Sequence, residues 1–258
     1  MDLGLTGKNV LVTGSSRGIG LSIARAFLAE GARVALTGRD ASALDVARSE
    51  SLADYPGADV HAFCCDFVNP SAVGRLRKRL SSRWEGLDVL VANVGSGRSL
   101  PEPITEERHF QKVLETNLLA SVNAAREFYP FLTRRRGCIL FISSIAGIEA
   151  IGAPVDYATA KAGLMSFAKN LARRAAADGI RVNCVAPGNI LFPGGAWDRK
   201  RRANPGGTRR MIASSVPMRR FGAPDEVAAA CVFLCSRQAG FITGAMLRVD
   251  GGQTVSIF

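Results

Sequence analysis

The segment Tyr157-Ala-Thr-Ala-Lys161 sets a phenol and an ammonium four residues apart in an alanine-rich stretch. On a helix that spacing puts both groups on one face. A free tyrosine titrates at about 10, too high for acid–base work at neutral pH, and a nearby cation lowers that value by favouring the phenolate. The pair therefore reads either as a partly buried tyrosine beside a solvated lysine or as an acid with a tuned pKa.

The elements around the pair decide between these readings. Short apolar runs at 8–13, 33–38, 59–65, 88–93, 138–143, 181–187 and 245–251 alternate with helical patterns over about 18–29, 41–52, 70–82, 105–132, 155–177 and 224–236. Near-continuous apolar strands separated by helices specify a parallel sheet buried on both faces. The expected fold is α/β: a Rossmann-type, doubly wound, seven-stranded parallel sheet. No linker, repeat or low-complexity run divides the chain, so residues 1–258 are expected to form one domain. Residues 188–222, rich in Gly, Pro and Arg, are too long for an ordinary connection and are expected to be an irregular substrate lid. In such sheets ligands sit at the carboxyl ends of the strands. Ser144 ends the fifth strand and Tyr157 and Lys161 open the helix after it, so the three are expected to converge.

"TGSSRGIG" (13–20) lies where the first strand hands over to the first helix. Gly14 permits a tight turn, Gly18 a close backbone approach and Gly20 close helix–strand packing, while the helix N-terminus offers free N–H groups to a pyrophosphate. The candidate cradle is Gly14, Ser16, Arg17, Gly18, Ile19 and Gly20; any βα turn using glycine is the plainer reading. A site for NAD(H) usually ends the second strand on an acid that bonds the ribose hydroxyl. Here Gly38 stands at that place, Arg39 follows, and Arg17 is in the loop. Two guanidiniums match a 2′-phosphate better than a hydroxyl, so NADP(H) is the expected dinucleotide. Asp66, with Phe67 beside it just past the third strand, fits either an adenine contact or a turn cap.

These motifs, with "NVG" (93–95), "ETN" (115–117), "APG" (186–188) and "VDGG" (249–252), resemble the short-chain dehydrogenase/reductase family over essentially the whole chain. The resemblance implies a catalytic tetrad of Asn117, Ser144, Tyr157 and Lys161. Tyr157 would protonate a carbonyl oxygen held by Ser144 as the cofactor delivers hydride, with alcohol oxidation as the reverse. Lys161 would also bond the nicotinamide ribose, and Asn117 would hold a water leading from Lys161 to solvent. Asn93 and Gly95 would flank the adenosine ribose, while Pro187, Gly188 and the backbone of Ile190 would meet the nicotinamide. Two departures stand out. Val94 is bulkier than the family's usual alanine, which predicts a small reshaping of the pocket. "LFPGGAW" (191–197) follows "APGNI" without the threonine that usually helps to hold the cofactor.

The net charge of +11 makes nucleic acid a candidate partner, yet no helix-turn-helix, zinc finger or RNP-like motif accompanies it, so nucleic acid is not the expected partner. Six cysteines without a CxxC, and only two histidines, argue against a metal site or disulfide framework. No apolar run is long enough to span a membrane, and an N-terminus without signal-peptide character makes the cytoplasm the expected compartment. From Trp197 to Arg220 there are eight Lys or Arg residues against one acid, Asp198, which reads as a solvated face or as recognition of an anionic or carrier-bound substrate. Phe192, Trp197 and Phe221 would supply apolar walls. The leading function is a 3-oxoacyl thioester reductase-like NADP(H) oxidoreductase acting on a carbonyl or secondary alcohol. A sugar, polyol or sugar-acid dehydrogenase is the alternative, and an idle cofactor-binding regulator or nucleic-acid binder is the reading from another class. Small residues Ala158, Ala160, Ala162 and Gly163, and the apolar C-terminal "GGQTVSIF", predict a homotetramer.

Overall fold

The computed structural model describes residues 2–97, 100 and 102–257. Seven strands form one parallel sheet in the order β3-β2-β1-β4-β5-β6-β7. They are β1 (Asn9–Val12), β2 (Arg33–Gly38), β3 (Val60–Cys64), β4 (Val89–Ala92), β5 (Cys138–Ile142), β6 (Arg181–Pro187) and β7 (Met246–Val249). The chain reverses direction between β1 and β4, which opens a crevice at their carboxyl ends.

Successive side chains of each strand face opposite layers. Val10 and Val12 of β1 pack with Ile23 and Phe27 of α1 (Gly18–Ala29), Leu44 of α2 (Ala41–Asp54) and helix α9 (Pro224–Cys235). Leu11 faces the other layer, built from α3 (Pro70–Ser81), α5 (Ala120–Thr133) and α6 (Val155–Ala175) through Leu76, Phe128 and Leu164. The expected doubly wound, seven-stranded fold is what the chain adopts.

Two expectations are corrected. The segment expected as one helix over 105–132 is α4 (Glu107–Leu114), a π-helical turn at Glu115–Leu119, and then α5. Such turns insert one residue into the helical ladder and re-aim the side chains within it. Residues 188–222 are not irregular throughout. They contain α7 (Ala196–Ala203) and α8 (Pro205–Ser215), the latter started by Pro205 at a first-turn position and by Asn204, whose side chain accepts from Gly207 N–H at 2.8 Å. Among the described residues no helix is long and apolar enough to cross a membrane, and no cluster of His, Cys, Asp or Glu could hold a metal ion.

Candidate active site

Two contacts seat α6 on the carboxyl end of β5. Ser143 Oγ donates to the Lys161 carbonyl at 2.9 Å. A Cβ on Gly147 would lie 2.7 Å from Lys161 C and Ala162 N, so only glycine lets the turn Ile145–Gly147 press on that helix. Ser144 caps this turn, its Oγ accepting from Ala146 N–H at 3.2 Å, and its hydroxyl bonds the Tyr157 phenol.

Lys161 is 3% exposed, and its Nζ donates to the Ile142 carbonyl at 2.9 Å while standing 5.9 Å from the centre of the Tyr157 ring. Burial lowers its pKa to about 8. Burial also pushes the Tyr157 phenol above 10, outweighing the Ser144 bond that pulls it down. This corrects the expectation that Lys161 lowers the tyrosine. The ammonium is turned to a carbonyl, and desolvation of the phenol wins. At neutral pH Tyr157 therefore carries its proton, as a donor must.

Asn117 lies in the π-helical turn and is 1% exposed. Its Oδ1 accepts from Ser96 N–H at 2.8 Å and its Nδ2 donates to Val113 O at 3.1 Å. Gly95 joins it to Lys161: a Cβ there would come within 3.0 Å of Asn117 Oδ1 and 3.1 Å of Lys161 Nζ. A buried carboxylate that the sequence reading missed adjoins the group. Asp156 accepts from Tyr157 N–H at 2.7 Å and Thr105 Oγ1 at 3.3 Å, with His109 Nε2 at 3.6 Å. It ties α4 and the segment before it to the start of the helix that carries Tyr157. Its only sequence signal is an acid in a helical first turn, which is commonplace.

A cavity of about 740 Å³ runs from the glycine loop to this group. Gly14, Arg17, Ile19, Gly20, Asn93 and Gly95 line one end. Ser144, Tyr157 and Lys161 line the middle, with Pro187, Gly188 and Ile190 opposite. Gly14 has φ +63°, and Val94 Cγ2 lies 3.3 Å from where its Cβ would be, so the bulkier valine is absorbed against a glycine. Asn93 Nδ2 donates to the carbonyls of Thr13 and Gly14 at 3.0 and 3.1 Å, fastening the two loops.

Ser16, Gly18, Arg39, Asp66, Phe67 and Asn117 stand outside this wall. Gly18 is covered by Phe192, whose ring lies 2.5 Å from where a Cβ would be. Ser16 sits 3.4 Å from the same point on Gly38, so a side chain at the end of β2 would crowd the loop. Arg17 and Arg39 are both exposed, and Arg17 makes no side-chain cap to α1, whose N-terminus is left open. Asp40 caps α2 through Ala43 N–H at 3.2 Å. Asp66 accepts from Val68 N–H at 3.1 Å, the turn-cap geometry, and the Phe67 side chain is buried in the core. Glycines that a Cβ would fill, an open helix terminus and two free-standing guanidiniums fit a phosphorylated dinucleotide.

The charges of residues 188–222 divide. Arg199 and Lys200 line the cavity, Lys200 lying 4.5 Å from the centre of the Trp197 ring. Arg201 and Arg202 instead pair with Asp198 at 3.2 and 3.0 Å, and Arg220 pairs with Glu226 at 2.6 Å. Gly194 N–H and these arginines hold the Asp198 carboxyl below its ordinary range. The described cavity wall holds four cations, Arg17, Lys161, Arg199 and Lys200, and no carboxylate.

A family model described as enoyl-(acyl carrier protein) reductase matches residues 14–254. Nodulation protein G of Rhizobium sp. is 36% identical over 251 residues, covering 96% of this chain and 97% of that protein. The 3-oxoacyl-(acyl-carrier-protein) reductase FabG of Escherichia coli is 34% identical over 247 residues, covering 95% and 97%. L-Sorbose reductase of Gluconobacter frateurii, solved with NADPH and L-sorbose, superposes with a TM-score of 0.93 at 33% identity over the whole of both chains. With the motif residues now gathered at the sheet's switch point, the chain belongs to the short-chain dehydrogenase/reductase family.

Proposed function

We propose that this protein is an NADP(H)-dependent oxidoreductase that interconverts a ketone and a secondary alcohol. The observation that carries the reading is a protonated, half-buried Tyr157 bonded to Ser144 at the wall of the cavity that Lys161 also lines. NADPH, when bound, supplies hydride to the carbonyl carbon. Tyr157 gives its proton to the carbonyl oxygen as negative charge develops there, and Ser144 donates a hydrogen bond to the same oxygen. Lys161 brings a positive charge to 5.9 Å from the Tyr157 ring centre, on the wall where negative charge develops as the proton leaves. Asn117 fixes the Ser96 backbone and stands with Lys161 at Gly95, where a water could pass the proton on. Arg17 and Arg39 would bond the 2′-phosphate, the glycine loop the pyrophosphate, and Pro187, Gly188 and Ile190 the nicotinamide side. Asp66 would accept from the adenine amino group through its second carboxylate oxygen, since Val68 N–H takes only Oδ1, and Phe67 would offer its backbone beside it.

NADPH oxidation followed at 340 nm across a carbonyl panel tests this reading. Tyr157→Phe should lose at least about a thousandfold in kcat while NADPH Kd stays within about twofold, because the ring remains and only the proton donor goes. Activity within tenfold of wild type would remove Tyr157 from the acid role. Salt-sensitive retention of nucleic acid without turnover would favour the non-catalytic reading instead. Two substrate classes have support. The FabG relatives support a 3-oxoacyl thioester, and the sorbose reductase likeness supports a ketose.

The same reading takes residues 1–258 as one functional unit with 188–222 as its lid, acting in the cytoplasm as a homotetramer. Exposed Leu119, Val155, Val255 and Ile257 support the tetramer; Phe258 lies outside the described residues. The small residues of α6 divide: Ala160 packs inward, Gly163 faces Leu118 of its own chain, and Ala162 is exposed. Sedimentation showing a 27.4 kDa monomer would refute the assembly.

A further inference from the structure

Residues 192–195 form a turn that lies against the glycine loop at two points. The Phe192 ring stands 2.5 Å from where a Cβ on Gly18 would be, and Arg17 Nη1 stands 3.6 Å from where a Cβ on Gly194 would be. Gly195 N–H donates to the Phe192 carbonyl at 3.0 Å, which closes the turn, and Gly194 takes φ +71°, a conformation that suits glycine. Arg199, one turn into α7, reaches back to it: Arg199 Nη1 donates to the Gly194 carbonyl at 2.8 Å. The guanidiniums of Arg17 and Arg199 thus flank one residue, and these two nitrogens are at most about 10 Å apart.

Both guanidiniums line the cavity and are exposed, and among the described residues neither pairs with a carboxylate. Asp198, the acid next to Arg199 in sequence, is taken by Gly194 N–H at 3.0 Å and by Arg201 and Arg202. Of the other cations on the wall, Lys161 stands at Tyr157 and Lys200 lies over the Trp197 ring. Gly14, Ile19 and Gly20 line the same cavity, and the α1 N-terminus beside them has no side-chain cap. The turn that holds Arg199 therefore packs on the loop that the oxidoreductase reading gives to the diphosphate.

Resting on that reading, we infer that Arg199 is a cofactor-binding residue that grips the diphosphate of NADP(H) together with the glycine loop. Each phosphoryl group of a diphosphate carries a negative charge, whereas the loop N–H groups and the helix terminus bring only partial positive charges. With Arg17 and Arg39 serving the 2′-phosphate, Arg199 supplies the full counter-charge that the diphosphate otherwise lacks. Its bond to Gly194 uses one N–H and leaves the rest of the planar fork for phosphoryl oxygens. The same bond holds the side chain at the wall before the cofactor arrives, so less rotamer freedom is lost on binding.

Calorimetric titration of NADPH and of NADH into wild type and variants tests this. Arg199→Gln should raise both Kd values about tenfold, the loss of a charge-assisted bond, and leave the ratio between them within about twofold. Its Kd values should also depend less on added salt. Arg199→Lys keeps the charge without the fork and should fall between the two, which guards against a mere rearrangement of α7. Arg209→Gln makes the same charge change at an exposed residue off the wall and should leave both Kd values within about twofold. The inference is overturned if neither Kd moves, or if NADPH alone weakens, which would put Arg199 on the 2′-phosphate. It is equally overturned if both Kd values hold while KM for a ketone rises, which would give Arg199 to the substrate. A wild type that binds neither dinucleotide would sink the oxidoreductase reading as well, whereas binding that Arg199→Gln leaves unchanged would sink this inference alone.

Discussion

Replacing Lys161 by methionine should make the unliganded protein more stable while destroying its activity. The ammonium is 3% exposed and its one direct partner is the neutral Ile142 carbonyl. Its pKa falls from 10.5 to about 8 because burial disfavours the charged form. At 1.36 kcal/mol per pH unit, that depression corresponds to roughly 3 kcal/mol of destabilisation whenever the group is charged in both states. Methionine fills similar volume without charge but strands the Ile142 carbonyl, at about 1 kcal/mol. The net expectation at pH 7 is a gain of about 2 kcal/mol, or roughly 4–8 °C in Tm for a chain of this size. The sign with pH follows from proton binding. Between about pH 8 and 10.5 the unfolded lysine binds more protons than the folded one, so wild-type stability rises through that window and is fully penalised below it. The Tm gap between Lys161→Met and wild type should therefore be full at pH 7 and shrink towards pH 10. Calorimetry of both proteins without cofactor, at intervals from pH 6.5 to 10, reads this directly. A variant less stable than wild type at pH 7, or a gap independent of pH, would refute the claim that Lys161 is a strained buried charge. Strain kept where chemistry needs it is a common exchange of stability for function.

Two further outcomes are expected. Arg39→Asp should weaken NADPH by about 10- to 100-fold and improve NADH, since it replaces a phosphate partner with a group that repels phosphate and accepts from a hydroxyl; fluorescence titration of both cofactors checks it, and a wild type that already prefers NADH would overturn the assignment. Asp156→Asn should lower Tm by about 3–6 °C and kcat several-fold, because the buried carboxylate joins Thr105 and His109 to the residue next to Tyr157; unchanged kcat would make Asp156 a purely structural tie.

The order of the strands and of the helices that pack on the sheet was legible because each of these elements announces itself within its own few residues, whereas α7 and α8 within 188–222 did not. Continuous apolar runs such as Val10–Val12 are short enough to be strands and too apolar to lie at a surface. The glycine loop and the Ser144, Tyr157 and Lys161 spacing were legible for the same reason, since one turn and one helix start position them. Asn117 was found by its motif, yet its aim was not: a π-helical turn depends on how α4 and α5 meet the rest of the core. The basic residues of 199–202 look alike in sequence, and only packing separates Arg199 and Lys200 at the cavity from Arg201 and Arg202 at Asp198. Phe192 lies over Gly18 across more than 170 residues of chain. The direction of the Tyr157 pKa was misjudged because the lysine is a neighbour in sequence whereas desolvation comes from atoms gathered from distant segments. Sequence alone determined the order of elements, the family and the chemistry-bearing residue types, all carried by local patterns. Tertiary structure alone decided which charges face the cavity and which groups are dry, because burial and proximity are properties of the packed chain and of no single segment.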